Sequence, residues 1–178
     1  MTRTEPKATT AEIVREYGPF AGADKIHGVT HDGRHVWVAT GAKLIAFDPE
    51  SGDLARTLDR PGDAGTAFDG THLYQIAEAR IDKIDPSTGA ILRTIESNRF
   101  VTGVSFVHGE LWHGTWEGDE SELRHVDAES GAVLERLAMP AGKNISGLES
   151  DGADLFYCGG GPTGKVRAVR RPAKRAKR

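Results

Sequence analysis

Residues 28–38 read Gly-Val-Thr-His-Asp-Gly-Arg-His-Val-Trp-Val, and residues 65–75 repeat the pattern as Gly-Thr-Ala-Phe-Asp-Gly-Thr-His-Leu-Tyr-Gln. A third copy starts at Gly103 and a fourth at Gly147. In each copy a short turn, Asp-Gly in three of them, separates two segments rich in β-branched and aromatic residues. This pattern predicts two antiparallel strands joined by a tight turn. Four copies of one unit indicate a repeat architecture.

A second turn motif follows in the first three copies. Residues 48–52 read Asp-Pro-Glu-Ser-Gly, and related motifs occupy residues 85–89 and 127–131. Aspartate bonds the turn backbone and glycine accepts a positive φ, so each motif is expected to join a third strand to a fourth. The predicted strand pairs are 44–47 with 54–58, 80–84 with 91–95, and 123–126 with 133–137. Four antiparallel strands in about 40 residues are typical of a propeller blade.

The fold class expected from this repeat is all-β, a small β-propeller of four four-stranded blades. The fourth copy ends at its third strand, residues 166–172, whereas residues 12–17 resemble the fourth strand of an earlier copy. Pairing of these two segments would complete the last blade and remove an exposed edge. We therefore predict a loose leader over residues 1–9, one propeller domain over 10–172 and a basic tail over 173–178. The alternative is a half-ring that a second subunit completes, so monomer and homodimer both stay open.

Composition narrows the range of functions. The chain has 178 residues, a net charge of −3 and one cysteine, which cannot form an internal disulfide. No apolar run follows the N-terminus or is long enough to span a membrane, and we expect a cytoplasmic protein. The acidic balance argues against nucleic-acid binding, except through the basic tail.

Two residues are candidate catalytic groups. In a propeller, the loops that lead into the innermost strands and those between the second and third strands gather on one face. His27 immediately precedes the first inner strand, and its imidazole would serve as a general base or metal ligand. Glu117 lies in residues 114–121, predicted to be a long loop that departs from the repeat, and offers an oxygen ligand or base.

Five further residues on the same face are candidate ligand-binding groups. Amine, guanidinium and amide groups suit an anionic or amide-bearing small molecule, and a tryptophan can stack on it. These candidates are Glu78, Arg99, Trp116, Lys143 and Asn144.

The second half of the chain, residues 103–172, resembles the β-propeller glutaminyl cyclases, also called glutamine cyclotransferases, and more loosely the streptogramin lyase-like propellers. The segments that carry the resemblance are Phe100–Val104, Glu110–Thr115, Leu123–Asp127 and Gly147–Gly152. The resemblance implies a propeller and, for an enzyme, a lyase or cyclotransferase. The cyclase catalytic motif is not retained, since Thr102 stands where the family's entrance motif carries its glutamine.

Three functions remain open at this point. The first is a small-molecule site at the mouth of the central channel. The second is a metal-assisted lyase or cyclotransferase, in which His27 or Glu117 acts as base beside a divalent ion. The third is a protein-interaction scaffold. The sequence does not identify the cofactor, if any.

Overall fold

The computed structural model describes residues 6–31, 34–40, 43–58, 65–77, 79–85 and 90–173. Within these ranges the chain is all-β, with one 3₁₀ turn and no α-helix. No helix in the described part of the chain is long and apolar enough to cross a membrane. In chain order the strands are β1 (Thr9–Thr10), β2 (Ile13–Tyr17), β3 (Gly28–His31), β4 (Val36–Ala39), β5 (Leu44–Phe47), β6 (Leu54–Leu58), β7 (Thr66–Phe68), β8 (Leu73–Ala77), β9 (Arg80–Ile84), β10 (Ile91–Glu96), β11 (Phe100–Val107), β12 (Glu110–Glu117), β13 (Glu120–Val126), β14 (Val133–Ala138), β15 (Gly147–Ser150), β16 (Leu155–Gly159) and β17 (Val166–Arg170).

The strands form four sheets, and each sheet corresponds to one sequence copy. Sheet I has the order β3-β4-β5-β6, sheet II β7-β8-β9-β10, sheet III β11-β12-β13-β14-β1 and sheet IV β15-β16-β17-β2. Sequential strands pair antiparallel, as the two turn motifs predict. The all-β fold of repeated antiparallel sheets is therefore confirmed.

The aspartate turns form as their composition predicts. The Asp48 carboxylate accepts hydrogen bonds from the backbone N–H groups of Glu50 and Ser51, at 2.7 and 3.1 Å. The Asp127 carboxylate accepts from Glu129 and Ser130 in the same way. Each turn therefore reverses the chain between the third and fourth strands of its sheet. The corresponding motif at residues 86–89 lies outside the described residues.

The opening strand lies beside the last strand, as predicted. In the antiparallel pairing of β2 with β17, Tyr17 is opposite Val166 and Glu16 is opposite Arg167. The Arg170 amide extends the pairing by donating to the carbonyl oxygen of Glu12 at 3.0 Å. Strand β2, near the start of the chain, therefore supplies the fourth strand of sheet IV.

Sheet III has a fifth strand where four were predicted. Thr9 pairs in parallel with Leu137, and Thr10 with Ala138. The Ala11 amide then donates to the Ala138 carbonyl at 2.6 Å. The opening segment thus covers the outer edge of β14, whose main-chain groups would otherwise be unpaired. Thr9 itself belongs to the stretch predicted as the leader.

Three hydrophobic clusters join the sheets side by side in the order II, III, IV, I. Between III and IV, the rings of Trp112 and Phe156 lie 5.0 Å apart, and between IV and I those of Tyr17 and Phe47 lie 4.7 Å apart. Gly103 marks the closest approach, since a Cβ there would lie 2.4 Å from the Leu148 nitrogen. Among the residues that the structure describes, no cluster joins sheet I to sheet II, so closure of the ring remains a proposal.

The prediction of a long loop over residues 114–121 is wrong. β12 continues to Glu117 and β13 starts at Glu120, with these two residues opposite each other. Gly118 has a φ of 58°, and this left-handed conformation lets the chain reverse within two residues. Trp116 and Glu117 are therefore positioned by a two-residue hairpin rather than by a loop.

Candidate functional site

Four of the predicted site residues lie in two pairs, and two others lie singly. Arg99 and Glu117 lie together at one end of sheet III, and Trp116 and Asn144 lie near the junction of sheets III and IV. His27 is exposed before β3, and Lys143 is half-buried before β15. Glu78 lies outside the described residues.

Two buried polar atoms lie in the segments where the inner strands β11 and β15 start. Asn144 Oδ1 and Thr102 Oγ1 have no hydrogen-bond partner among the described residues. The position that a Cβ would occupy on Gly114 lies 2.8 Å from Thr102 Oγ1 and 2.7 Å from Ile145 Cγ2. Thr102 Oγ1 and the Ile145 side chain therefore lie on the same side of Gly114, and Asn144 precedes Ile145 in the chain.

Arg167 fixes the backbone on one side of that region. Its side chain is 1% exposed, and its Nε donates to Glu16 at 2.6 Å. Its Nη1 donates to the carbonyl oxygen of Asn144 at 3.3 Å. The same guanidinium thus connects the closing strand β2 to the segment that carries Asn144.

Trp116 and Ser146 form the other side. Trp116 Cζ3 lies 3.9 Å from the Cβ position of Gly161, and the indole N–H donates to the Gly118 carbonyl at 2.8 Å. Ser146 Oγ donates to the carbonyl of Ile26 and accepts from the Gly161 amide. We refer to Thr102, Trp116, Asn144, Ser146 and Arg167 as the Asn144 cluster.

Arg99 is the centre of an ion-pair group at the end of sheet III. Its Nε lies 2.9 Å from Glu117, its Nη2 lies 2.9 Å from Glu120, and its Nη1 lies 3.5 Å from Glu122. Arg99 is only 14% exposed on its side chain, whereas Glu117 is 64% exposed. Glu117 therefore acts as a counter-ion to Arg99 in this structure.

Sequence reasoning missed the buried part of this group. Glu122 also contacts Arg124 and Arg136, at 3.0 and 2.5 Å. Burial raises the pKa of Glu122, but hydrogen bonds from Arg136 and Arg124 outweigh burial and lower it below its ordinary value. His113 lies opposite Arg124, and burial lowers its pKa to about 4. The sequence did contain a signal for this group: in two paired strands, positions 113, 115, 122 and 124 lie on the same face.

The structure also bears on two other kinds of site, a reactive cysteine and a metal centre. Cys158 is buried, and burial raises the pKa of its thiol to about 12, so it is a packing residue. In the described ranges, no three His, Cys, Asp or Glu side chains are close enough to hold a metal ion. A divalent ion beside His27 or Glu117 stays a prediction.

No protein-family model matches this sequence, and no curated protein matches it significantly. Solved structures share its architecture. A glutaminyl cyclase from Myxococcus xanthus superposes with a TM-score of 0.58 and 14% identity, over 93% of this chain and 98% of that chain. U3-55K gives a TM-score of 0.49 at 18% identity, and the RRP9 WD40 repeats 0.47 at 17%, over 94% and 91% of this chain.

The similarity to the cyclase shows the architecture and nothing finer. The identity to the cyclase is low, so the likeness shows a propeller-type fold alone. The chain spans about half the length of the U3-55K and RRP9 structures, at 54% and 52%. The resemblance to glutaminyl cyclases is therefore confirmed for the fold, while a cyclase-like assignment is not.

Proposed function

We propose that this chain forms a closed four-blade propeller in the cytoplasm and binds a small polar ligand, anionic or amide-bearing, at the mouth of its central channel. The proposal includes the predicted residues around that mouth: His27, Glu78, Arg99, Trp116, Glu117, Lys143 and Asn144. The pairing of β2 with β17 and the continuous series of packed sheets support closure.

The observation that carries the proposal is the pair of unpaired atoms in the Asn144 cluster. A buried polar group without a partner costs about 1–3 kcal/mol of stability, and native proteins contain few of them. Asn144 Oδ1 accepts hydrogen bonds, and the Thr102 hydroxyl donates and accepts them. A ligand with an amide or a carboxyl group would satisfy both atoms, with Trp116 as an apolar wall.

Binding is better supported than catalysis at this position. Both candidate bases lie outside the Asn144 cluster, since His27 is exposed and Glu117 is paired with Arg99. The name of the superposed cyclase suggests the lyase or cyclotransferase alternative. No contact among the described residues yet gives that alternative a base positioned beside a ligand pocket.

One observation favours the scaffold alternative. Large apolar side chains are exposed on the outermost strands of three sheets, at equivalent places after the aspartate turns. These side chains are Leu54, Ile91, Leu92 and Leu134. Exposed apolar residues that recur around a propeller rim are suited to contact a protein partner.

Thermal-shift measurements on two threonine variants test the small-ligand proposal. Amides, amino acids and small carboxylates are screened against the full-length protein, Thr102→Val and Thr115→Val. Thr115 is the matched control, because its Oγ1 is also buried without a partner but lies on the opposite face of sheet III. A ligand at 100 times its Kd adds about 2.7 kcal/mol of stability to the unmodified protein.

The two variants are expected to respond differently. Each replaces an unpaired hydroxyl by a methyl group of similar size, so neither should be less stable without ligand. Ligand stabilisation should persist in Thr115→Val and be lost in Thr102→Val. Equal stabilisation of both variants by every compound that stabilises the unmodified protein would show that the Asn144 cluster is not the site.

A further inference from the structure

The face of sheet III that packs against sheet II contains a buried polar layer. Leu111 and Val126 on this face share a hydrophobic cluster with sheet II. Side chains alternate along a strand, so the same face carries two opposed pairs. These are His113 with Arg124 and Thr115 with Glu122, and each of the four is at most 5% exposed.

Arg124 in this layer shares its carboxylate partner with two other arginines. Glu122 is its one buried carboxylate among the described residues, and it contacts three guanidinium groups. Those groups belong to Arg99, Arg124 and Arg136, which are 14%, 2% and 19% exposed on their side chains. The other partners of Arg99 are the exposed carboxylates of Glu117 and Glu120. Because Arg124 is buried and shares Glu122 with two other guanidinium groups, a further anion beside it would be stabilised.

A cavity of about 340 Å³ lies next to Arg124, between sheet III and the segment that leaves sheet II. Arg124, His113 and Asn98 line it, together with the hydroxyl residues Ser97 and Ser130. Its volume is at the lower end of the range for small-molecule pockets. The space is therefore suited to a small ion or metabolite.

Hydrogen-bond donors remain for an occupant of this cavity. Arg124 uses Nε for Glu122 and Nη1 for Asn98 Oδ1, at 3.0 and 2.7 Å, and its Nη2 has no partner among the described residues. Ser97 Oγ accepts from the Arg99 amide, and Ser130 Oγ accepts from the Ala132 amide. Each hydroxyl therefore keeps its own hydrogen to donate.

We propose that this inter-sheet cavity binds a small anion, a carboxylate or a phosphate, through Arg124 Nη2 and the hydroxyls of Ser97 and Ser130. The Nη2 group supplies charge-assisted hydrogen bonds, which both anions accept. Neutral His113 closes the inner wall, with its Nδ1 3.2 Å from the Gly114 carbonyl. Glu96 also lines the cavity, but it is exposed and its charge is screened by water. The site is separate from the Asn144 cluster, which faces sheet IV.

Amide and arginine-side-chain NMR titrations of the full-length protein test this site. The probes are inorganic phosphate and acetate, each added at constant ionic strength with sodium chloride as the reference. We expect saturable shifts of the Arg124 Nε–H and of the Ser130 and Gly131 amides. The anion with the larger effect identifies the ligand class. Absence of saturable shifts with both anions would overturn the proposal.

A pair of serine variants separates ligand binding from turn stability. Ser130→Ala removes a cavity hydroxyl, whereas Ser51→Ala removes the equivalent hydroxyl in sheet I, where Ser51 Oγ accepts from the Asp53 amide. Both variants lose the same turn contact. We expect anion affinity to fall about tenfold in Ser130→Ala, the effect of one charge-assisted hydrogen bond, and to stay unchanged in Ser51→Ala. Equal affinities in the two variants would refute the assignment of the cavity.

Discussion

Replacing Glu16 with glutamine tests how strongly the opening strand is bound to sheet IV. The Glu16 carboxylate lies 2.6 Å from Arg167 Nε and 3.0 Å from Lys165 Nζ. Arg167 is 1% exposed on its side chain, whereas Glu16 is 30% exposed. Glutamine keeps one acceptor oxygen but removes the charge that balances a buried guanidinium.

The expected loss is about 2 kcal/mol of unfolding free energy at pH 7. A hydrogen bond to a charged group contributes about 1.5–3 kcal/mol, and loss of the Glu16 charge leaves the buried Arg167 guanidinium without its counter-ion. Partial exposure of Glu16 and the retained acceptor place the value at the lower part of that range. For a domain of this size, about 2 kcal/mol corresponds to a decrease in Tm of about 4–8 °C.

The effect depends on pH in a defined direction. Burial raises the pKa of Glu16, but hydrogen bonds from Lys165 and Arg167 outweigh burial and hold the pKa below its ordinary value of 4.5. A carboxylate with a depressed folded-state pKa stabilises the fold above its unfolded-state pKa, and that contribution is lost as pH falls through the folded-state value. The difference between the unmodified protein and Glu16→Gln should therefore be full at pH 7 and decrease below about pH 4.5.

Urea unfolding followed by tryptophan fluorescence measures the difference, and Glu12→Gln is the matched control. Glu12 lies just before the same strand and contacts Arg170 at 3.4 Å, but both side chains are more than half exposed. Exposed pairs contribute little, so Glu12→Gln should leave stability unchanged. If both variants lose the same free energy, or if the Glu16→Gln deficit does not depend on pH, the buried pair is not what holds β2 in place.

Three more outcomes follow from single residues. Gly103→Ala should destabilise the protein by about 3 kcal/mol in urea unfolding, because the new Cβ would lie 2.4 Å from the backbone of Leu148. Gly65→Ala, at the equivalent position of another repeat, should not change stability, because no atom lies within 4 Å of its Cβ position. The pKa of His113 is lowered to about 4, so the unfolded chain binds this proton at a higher pH than the folded protein does. The free energy of unfolding measured with urea should therefore fall by about 3 kcal/mol as the pH decreases from about 6.5 to 4. A His113→Gln variant should lack this contribution. Cys158 is buried with its pKa raised to about 12, so a thiol reagent should modify it only after unfolding; rapid reaction of the folded protein would contradict its placement.

The repeat made most of the fold predictable. Each copy contains turn residues whose side chains or φ angles fix a reversal, and the intervening segments are too short and too rich in β-branched residues for helices. Strands Leu44–Phe47, Leu54–Leu58 and Arg80–Ile84 have the predicted bounds. The opening strand was predictable because residues 12–17 copy the pattern of a fourth strand, and an unpaired edge at β17 needed a partner.

The site was less predictable, because its chemistry depends on contacts between sheets. Reading residues 114–121 as a loop hid the alternation that sends Thr115 and Glu122 to one face. In the sequence, a single glycine, Gly118, is the main indication of this two-residue turn, and the acidic residues around it suggested a solvated loop instead. Arg99 was predicted as a ligand group, and its three carboxylate partners became visible only when the hairpin brought them beside it.

The opening strand connects fold stability to the proposed channel-mouth site. Glu16 on β2 holds the Arg167 guanidinium, and the same guanidinium bonds the backbone carbonyl of Asn144. Loss of β2 would therefore both expose the edge of β17 and release the backbone that positions an unpaired amide oxygen. We expect a displaced Asn144 to leave the Asn144 cluster, so strand pairing and ligand binding should be lost together. A Glu16→Gln protein that remains folded should accordingly bind the channel-mouth ligand more weakly, while anion binding between sheets II and III, which involves no residue of β2 or β17, should not change.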